Sequence, residues 1–440
     1  MTALLAAALL AQVPTVRVVG RDAPYATLSA ALAAARPGDT VRVLPGTYRE
    51  RVVVRVPVVL EGTPDAVLDG GGAGTVLALE APATVRGLTI RGSGRELHRE
   101  DAGILATAPE GVVIEENRLE DVLFGIYVKQ SRDPVVRGNV VVGKDLPLAE
   151  RGDGIRLWYV RGGLVERNRL TRVRDLVVWF SNDLDVRANL VEDARYGLHY
   201  MYSDRNRFEG NAFVGNLVGA FVMYSTDIAL RHNVFAEARG ATGIGLGLKD
   251  ASRIRATENI FVRNAVGIHL DNAPREADAW NEFRGNWIAY NDVGVAPLPS
   301  VRSNRFEGNV FLDNVHPVQV TGGGSALGNR WVGNFWSEYA GFDEDGDGVG
   351  DTPFVIERWS DDLLARHPTL RWFEGSPALT AVNVLARFFP LLRPEPIVVD
   401  SAPRLRRGAP PAAGPAGAVP AVTSEGRPPR GAAGFALLLS

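Results

Sequence analysis

The chain has 440 residues, with 48 Lys and Arg against 51 Asp and Glu and a net charge of −3. That length exceeds one ordinary compact core, so it calls for several domains or one elongated repeat array, and the near balance of charge gives no footprint for wholesale nucleic-acid binding. The absence of cysteine excludes disulfides, iron–sulfur clusters, thiolate metal sites and a lipid-attachment cysteine together.

Residues 1–11 are an apolar Ala- and Leu-rich run like the hydrophobic part of a secretory signal, with Ala11 at a cleavage position, although no Lys or Arg precedes it. The expectation is export. No later stretch is long and apolar enough to span a bilayer. "TLSAALAAA", Thr27 to Ala35, reads as a short helix ahead of "PGDTVRVLPGTYRE". At the start of a solenoid it would cap the open end, where unpaired strand edges invite aggregation.

Residues 16–340 carry an internal repeat, and this decides the fold class. "VERNRL", "VRANLV", "FEGNAF", "LRHNVF", "ATENIF", "FRGNWI" and "FEGNVF" share one form, with Asn168, Asn189, Asn211, Asn233, Asn259, Asn286 and Asn309 at the same place and Asn117 and Asn139 as earlier members. The step is 22 residues between Asn189, Asn211 and Asn233, and longer steps such as Asn139 to Asn168 mark loop insertions. Short Val-, Ile-, Leu- and Phe-rich strands broken by Gly and Asn suit parallel strands around a buried core, with coils ~4.8 Å apart. The predicted fold is a right-handed parallel β-helix, and the Asn residues are read as a turn ladder rather than as ligands.

After each Asn motif comes a strand of the form Gly-apolar-x-apolar-x: "GIYVKQS", "GIRLWYV", "DLVVWFS", "GLHYMYS", "GAFVMYS", "GIGLGLK" and "GIHLDNA". Alternation sends the second and fourth positions inward, from Ile126/Val128 through Ile155/Leu157, Leu176/Val178, Leu198/Tyr200, Ala220/Val222 and Ile244/Leu246 to Ile268/Leu270. The fifth position then faces outward as Lys129, Trp158, Trp179, Met201, Met223, Gly247 and Asp271. The third faces outward as Tyr127, Arg156, Val177, His199, Phe221, Gly245 and His269. Four consecutive coils thus present Trp, Trp, Met, Met on a surface that is normally polar, which marks either a binding face or one covered by a loop or the C-terminal segment. Met201 and Met223 are the only methionines besides Met1, and His199 shares their face. Two thioethers beside an imidazole, with no thiolate competing, suit Cu(I); the other reading is that Met fills an apolar gap.

The segment 341–376 contains "DEDGDGVGD". Asp343, Asp345, Asp347, the Val349 carbonyl and Asp351 follow the oxygen-ligand order of a Ca²⁺ loop, with Gly348 at the turn, but Phe354 stands where the bidentate Glu belongs. A structural calcium completed by water or by Glu357 is the expectation, against a solvated acidic turn. Residues 377–403 open with "PALTAVNVLARFFPLL", an amphipathic helix ended by Pro390. Residues 404–440 are Pro-, Ala- and Gly-rich and are expected to be disordered.

The runs "GDGIRLWYV", "RDLVVWFSN", "RYGLHYMYSDRNRFEGNAFVGNLVGAFVMYS", "GIGLGLKD" and "GNFWSEYAGFDEDGDGVGDTPF" resemble the NosD family, over essentially Val16 to Pro403. The resemblance implies a periplasmic accessory protein that partners an ABC-type ATPase and a membrane permease. It also implies copper, or a copper–sulfur cargo, moving from a copper chaperone toward the copper–sulfide cluster of nitrous oxide reductase, with binding and hand-over rather than catalysis. No family motif assigns the copper ligands. His199, Met201 and Met223 are the candidate ligands on residue chemistry, with Trp158, Trp179, Phe221, His269 and Asp271 as the binding surface. The rival reading is a carbohydrate-active β-helix enzyme, a lyase, hydrolase or epimerase of uronic-acid polymers, which needs a base beside charge-neutralising groups. His269 and Asp271 share a face with Arg156 and Lys129, but no tight Asp/Asp/Arg or His/Asp/Arg cluster is legible at adjacent coils. A purely structural surface protein leaves the Met pair unexplained.

Overall fold

A computed structural model describes residues 14–240, 242–357, 367–373, 376–378, 381–382, 385 and 396–415. The leader expected over 1–11, and most of the amphipathic helix expected over 377–392, fall outside these residues. The chain winds as the predicted right-handed parallel β-helix of about 14 turns. Three sheets run its length: sheet I of 16 strands beginning at Val16–Val19, sheet II of 13 beginning at Gly46–Arg49, and sheet III of 12 beginning at Val52–Val54. All pairings are parallel except that of the last strand of sheet I, Phe354–Ile356, which runs antiparallel to Val398–Asp400. Each coil contributes one strand to each sheet, because three-residue apolar runs separated by residues in the left-handed region turn the chain at the same places in every coil.

The Asn ladder explains the repeat. The Asn189 side-chain nitrogen donates to Asn211 Oδ1 at 2.9 Å, its backbone N–H donates to the same oxygen at 3.0 Å, and the amide also reaches Val165 O at 2.9 Å. This arrangement repeats from Asn117 through Asn139, Asn168, Asn189, Asn211, Asn233, Asn259, Asn286 and Asn309 to Asn334. Every one is buried, so each amide satisfies a turn's backbone groups that water cannot reach. A second ladder, Asn264 to Asn291 to Asn314, lies in the same coils. Inside, Phe213, Phe235 and Phe261 stack at 5.4 and 4.9 Å, filling the core over successive coils.

Both described ends are closed. The helix Leu28–Ala34 buries Leu28, Ala31 and Leu32 against the first coils. Thr27 Oγ1 caps it by accepting from Ala30 N, while the Glu50 carboxylate accepts from Leu28 N at 2.7 Å. At the other end the strand Val398–Asp400 joins sheet I as the rung beyond Arg330–Val332. Asp400 ends the Asn ladder by accepting from Asn334 N, Asn334 Nδ2 and Trp336 Nε1. A carboxylate suits this last position because every neighbour is a donor.

Residues 404–415 depart from the expected disorder. Arg404 N donates to Asn334 O, Ala413 packs on the outward apolar column of sheet II that includes Ala212 and Val234, and Gly414 N donates to His232 O at 2.8 Å. The segment runs back along the solenoid because that column would otherwise stand in water.

Candidate functional site

The strands Ile155–Trp158, Asp175–Trp179, Tyr196–Met201, Val218–Met223, Ile244–Lys249 and Val266–Asp271 lie side by side in sheet III. The predicted inward residues are buried, with one correction of register. Ala220 pairs with Leu246 and Met223 with Lys249, so Leu246 and Leu248 face the core in that coil rather than Ile244 and Leu246. The phrase "GIGLGLK" holds two overlapping Gly-apolar starts, and packing selects the second. Gly245 stacks in a column with Gly197, Gly219 and Gly267, where an added Cβ on Gly245 would stand 2.6 Å from the Gly267 carbonyl. Lys249 therefore replaces Gly247 in the outward fifth column, and it pairs with Asp271 at 3.0 Å. Gly247 moves to the third column beside Phe221, where a Cβ would meet the Phe221 ring at 2.5 Å.

Met201 and Met223 are direct Cα partners on neighbouring strands, and His199 pairs with Phe221 on the same two strands. Trp179 is the partner of Met201, and Trp158 of Trp179, with ring centroids 5.5 Å apart. Trp158, Trp179, Met201, Phe221 and Met223 are half-buried, and His199 is 9 % exposed. His269 and Asp271 are not brought to this group. His269 stands three strands from His199 in the third column, half-buried with its imidazole pushed below the usual range by burial, and Asp271 is engaged by Lys249.

Around His199 the structure assembles charges that the sequence reading missed, and it corrects the expectation that adjacent coils hold no His/Asp/Arg cluster. His199 Nδ1 lies 3.0 Å from Asp175 Oδ2. Asp175 also accepts from Arg195 Nη2, from Arg195 Nε and from the Tyr196 backbone N–H. Burial pushes the Asp175 carboxyl up, but hydrogen bonds from His199 and Arg195 outweigh it and hold it below the usual range. One coil earlier, Asp153 is fully buried and accepts from Arg174 Nε at 3.0 Å. There burial outweighs Arg174 and pushes the carboxyl up to about 6. Arg156 pairs with Glu100 at 3.1 Å and lays its guanidinium 4.9 to 5.3 Å from the rings of Trp158, Tyr127 and Trp179. The signal in the sequence was the polar pair just ahead of the strand, in "GDGI", "RDLV" and "RYGL".

A second feature escaped the sequence. Tyr159, Phe180, Tyr202 and Tyr224 follow the outward column and stack at 4.8, 5.3 and 5.0 Å. All four hold φ of 50° to 53°, the left-handed region where bulky residues are outliers and Asn or Gly is the usual choice. Their faces are occupied by one another, so the column presents ring edges along the Trp–Trp–Met–Met stripe.

The acidic loop is at the far end. Carboxylate oxygens of Asp343, Asp345 and Asp347 lie within 4.8 Å of one another. Asp343 accepts backbone N–H groups of Gly346, Asp347 and Gly348, which hold it below the usual carboxylate range. Val349 N donates to Asp347, and Asp351 Oδ2 accepts from Glu344 N.

Fold and site thus define a parallel β-helix protein with a half-buried soft-donor and aromatic stripe on one outer sheet. A family model described as "Periplasmic copper-binding protein (NosD)" matches residues 138–341. A Pseudomonas aeruginosa protein named "Probable ABC transporter binding protein NosD" is 30% identical over 414 residues, covering 82% of this chain and 87% of that protein. A Stutzerimonas stutzeri protein of the same name is 27% identical, covering 83% and 86%. Among solved structures, the A-module of a mannuronan C-5 epimerase from Azotobacter vinelandii has a TM-score of 0.54 at 18% identity, covering 69% of this chain and 93% of that one; it shares the fold. The chain belongs to the NosD family. Among the described residues no helix is long and apolar enough to cross a membrane.

Proposed function

We propose that this protein is a periplasmic copper carrier that holds Cu(I) between Met201, Met223 and His199 on the outer face of sheet III. In this reading it works with an ABC-type ATPase and a membrane permease, receives copper from a copper chaperone, and serves maturation of the copper cluster of nitrous oxide reductase. Copper is cargo here, and the chain binds and releases it without catalysis. The observation that carries the reading is the register pairing of Met201 with Met223, the two methionines other than Met1, on the strands that bear His199 and Phe221. Thioether and imidazole are donors suited to Cu(I), and the family description and the relatives' names support a copper and transporter role. Trp158, Trp179, Phe221, His269 and Asp271 then belong to the surface a partner would meet. A calcium ion in the loop of Asp343, Asp345, Asp347, Val349 and Asp351 is proposed as structural support for the C-terminal end.

The test is Cu(I) titration against a chromophoric chelator. One Cu(I) per chain is expected. Replacing Met201 and Met223 together by Leu should abolish uptake while leaving the melting curve close to wild type, since Met-to-Leu swaps conserve volume. Unchanged affinity in the double variant would sink the site.

A second reading, an enzyme acting on uronic-acid polymers, is favoured by one observation: Asp153, Arg156, Arg174, Asp175, Arg195 and His199 meet across adjacent coils. Against it, both carboxylates are almost wholly buried and already paired with guanidinium groups. Uronate polymers incubated with the protein should show neither new ultraviolet-absorbing double bonds nor altered epimer content; either change would favour the enzyme.

A further inference from the structure

We propose that Asp175 is the positioning residue of His199: it fixes the proton on Nδ1 and leaves Nε2 as the nitrogen that faces the metal. This deepens the copper reading above and rests on it. Asp175 sits at the start of its strand with its side chain 1 % exposed, and its oxygens are held by Arg195, by the Tyr196 backbone N–H and by His199 Nδ1 at 3.0 Å. An ionised carboxylate only accepts hydrogen bonds, so the nitrogen facing Asp175 is the donor, and in the neutral ring that places the proton on Nδ1 and the lone pair on Nε2. The ring cannot turn over freely. It stands edge-on to Trp179 at 4.8 Å and 88°, and lies tilted against Tyr196 at 4.8 Å. A flipped ring would also give up the carboxylate contact.

The backbone is adjusted to make this contact. Asp175 pairs with Tyr196 while Val177 pairs with His199, so the register slips by one residue between them. No other strand pair of sheet III slips among the described residues. Such bulges bend a strand and re-aim a side chain. Here the slip falls on the one coil boundary where a carboxylate reaches across to an imidazole beside the methionine pair. A carboxylate behind a metal-binding imidazole sets its tautomer and orientation and raises its basicity, and its removal typically weakens metal binding about 10- to 100-fold.

The experiment uses the full chain labelled with ¹⁵N and with ¹³C at the Met methyl groups, titrated with Cu(I). His199 is assigned among the six histidines by a His199→Gln variant. Before copper, the neutral form of His199 should show a protonated Nδ1 and a bare Nε2, and Cu(I) should shift Nε2. Asp175→Asn should weaken Cu(I) binding about 10- to 100-fold while X-ray absorption still finds both sulfur ligands. Should that variant fail to fold, the wild-type nitrogen spectra decide the matter alone. A neutral ring with its proton on Nε2, or Met methyl shifts on copper addition with His199 unmoved, overturns the role of Asp175 and leaves the methionine site standing. Methyl resonances that ignore Cu(I) overturn the copper reading itself, and the proposal with it.

Discussion

Replacing Asn211 by Ala tests the ladder that holds the coils in register. The wild-type side chain accepts from the Asn189 backbone N–H at 3.0 Å and from its amide at 2.9 Å, and donates to Val186 O and Asn233 Oδ1. In Asn211→Ala, the Asn189 side chain keeps its bond to Val165 O, and Asn233 Oδ1 keeps the Asn211 backbone N–H. One buried group, the Asn189 N–H, loses its partner, while the Val186 carbonyl loses one donor but keeps its place in the strand ladder opposite Phe208. At about 1–3 kcal/mol for one orphaned buried group, the cost is a sizeable part of the stability of an ordinary domain. Urea unfolding followed by fluorescence of the eight tryptophans should show the loss. Because coils stack through nearest neighbours, the transition should also broaden or split. Hydrogen exchange adds a local readout: the Asn189 amide should exchange faster in the variant than Asn139 does. A loss under ~1 kcal/mol with unchanged Asn189 protection would refute the idea that the ladder is a load on stability rather than a passive consequence of the turns.

Two further outcomes follow from the electrostatics. Asp153 has a folded pKa raised to about 6 by burial, so its contribution to stability is fully present below the unfolded carboxyl value and is lost as pH rises through about 6. Relative to Asp153→Asn, the wild type should therefore gain up to about 3 kcal/mol as pH falls from about 7 to about 4; a difference flat with pH would mean that Arg174 and Arg156 keep the carboxyl ionised. Ca²⁺ should raise the melting temperature, and Asp345→Ala should remove that rise; a rise that survives in the variant places the ion elsewhere.

The sequence by itself determined the solenoid, because the information is local and repeated. An Asn every coil and a strict two-residue alternation specify turn, strand and face without reference to any distant residue, and so the sequence alone puts Met201, Met223 and His199 on one outer face. It also exposed the column that holds Trp158 and Trp179, since a large apolar side chain at an outward position contradicts the pattern around it. The choice between Gly243 and Gly245 as the start of a strand lay beyond the sequence, because both satisfy the local pattern. Only the stacking of Gly245 between Gly219 and Gly267 selects one. The pairing of Asp175 with His199 and Arg195 was hidden for a related reason. Its members are 24 and 20 residues apart, and they meet only because one coil lies on the next and the register slips between them. Tertiary structure also decided the docking of residues 404–415, whose composition alone reads as disordered but whose backbone finds partners at Asn334 and His232. Periodicity fixes which way a side chain points. What it touches there depends on coil-to-coil register and on segments that return from far along the chain.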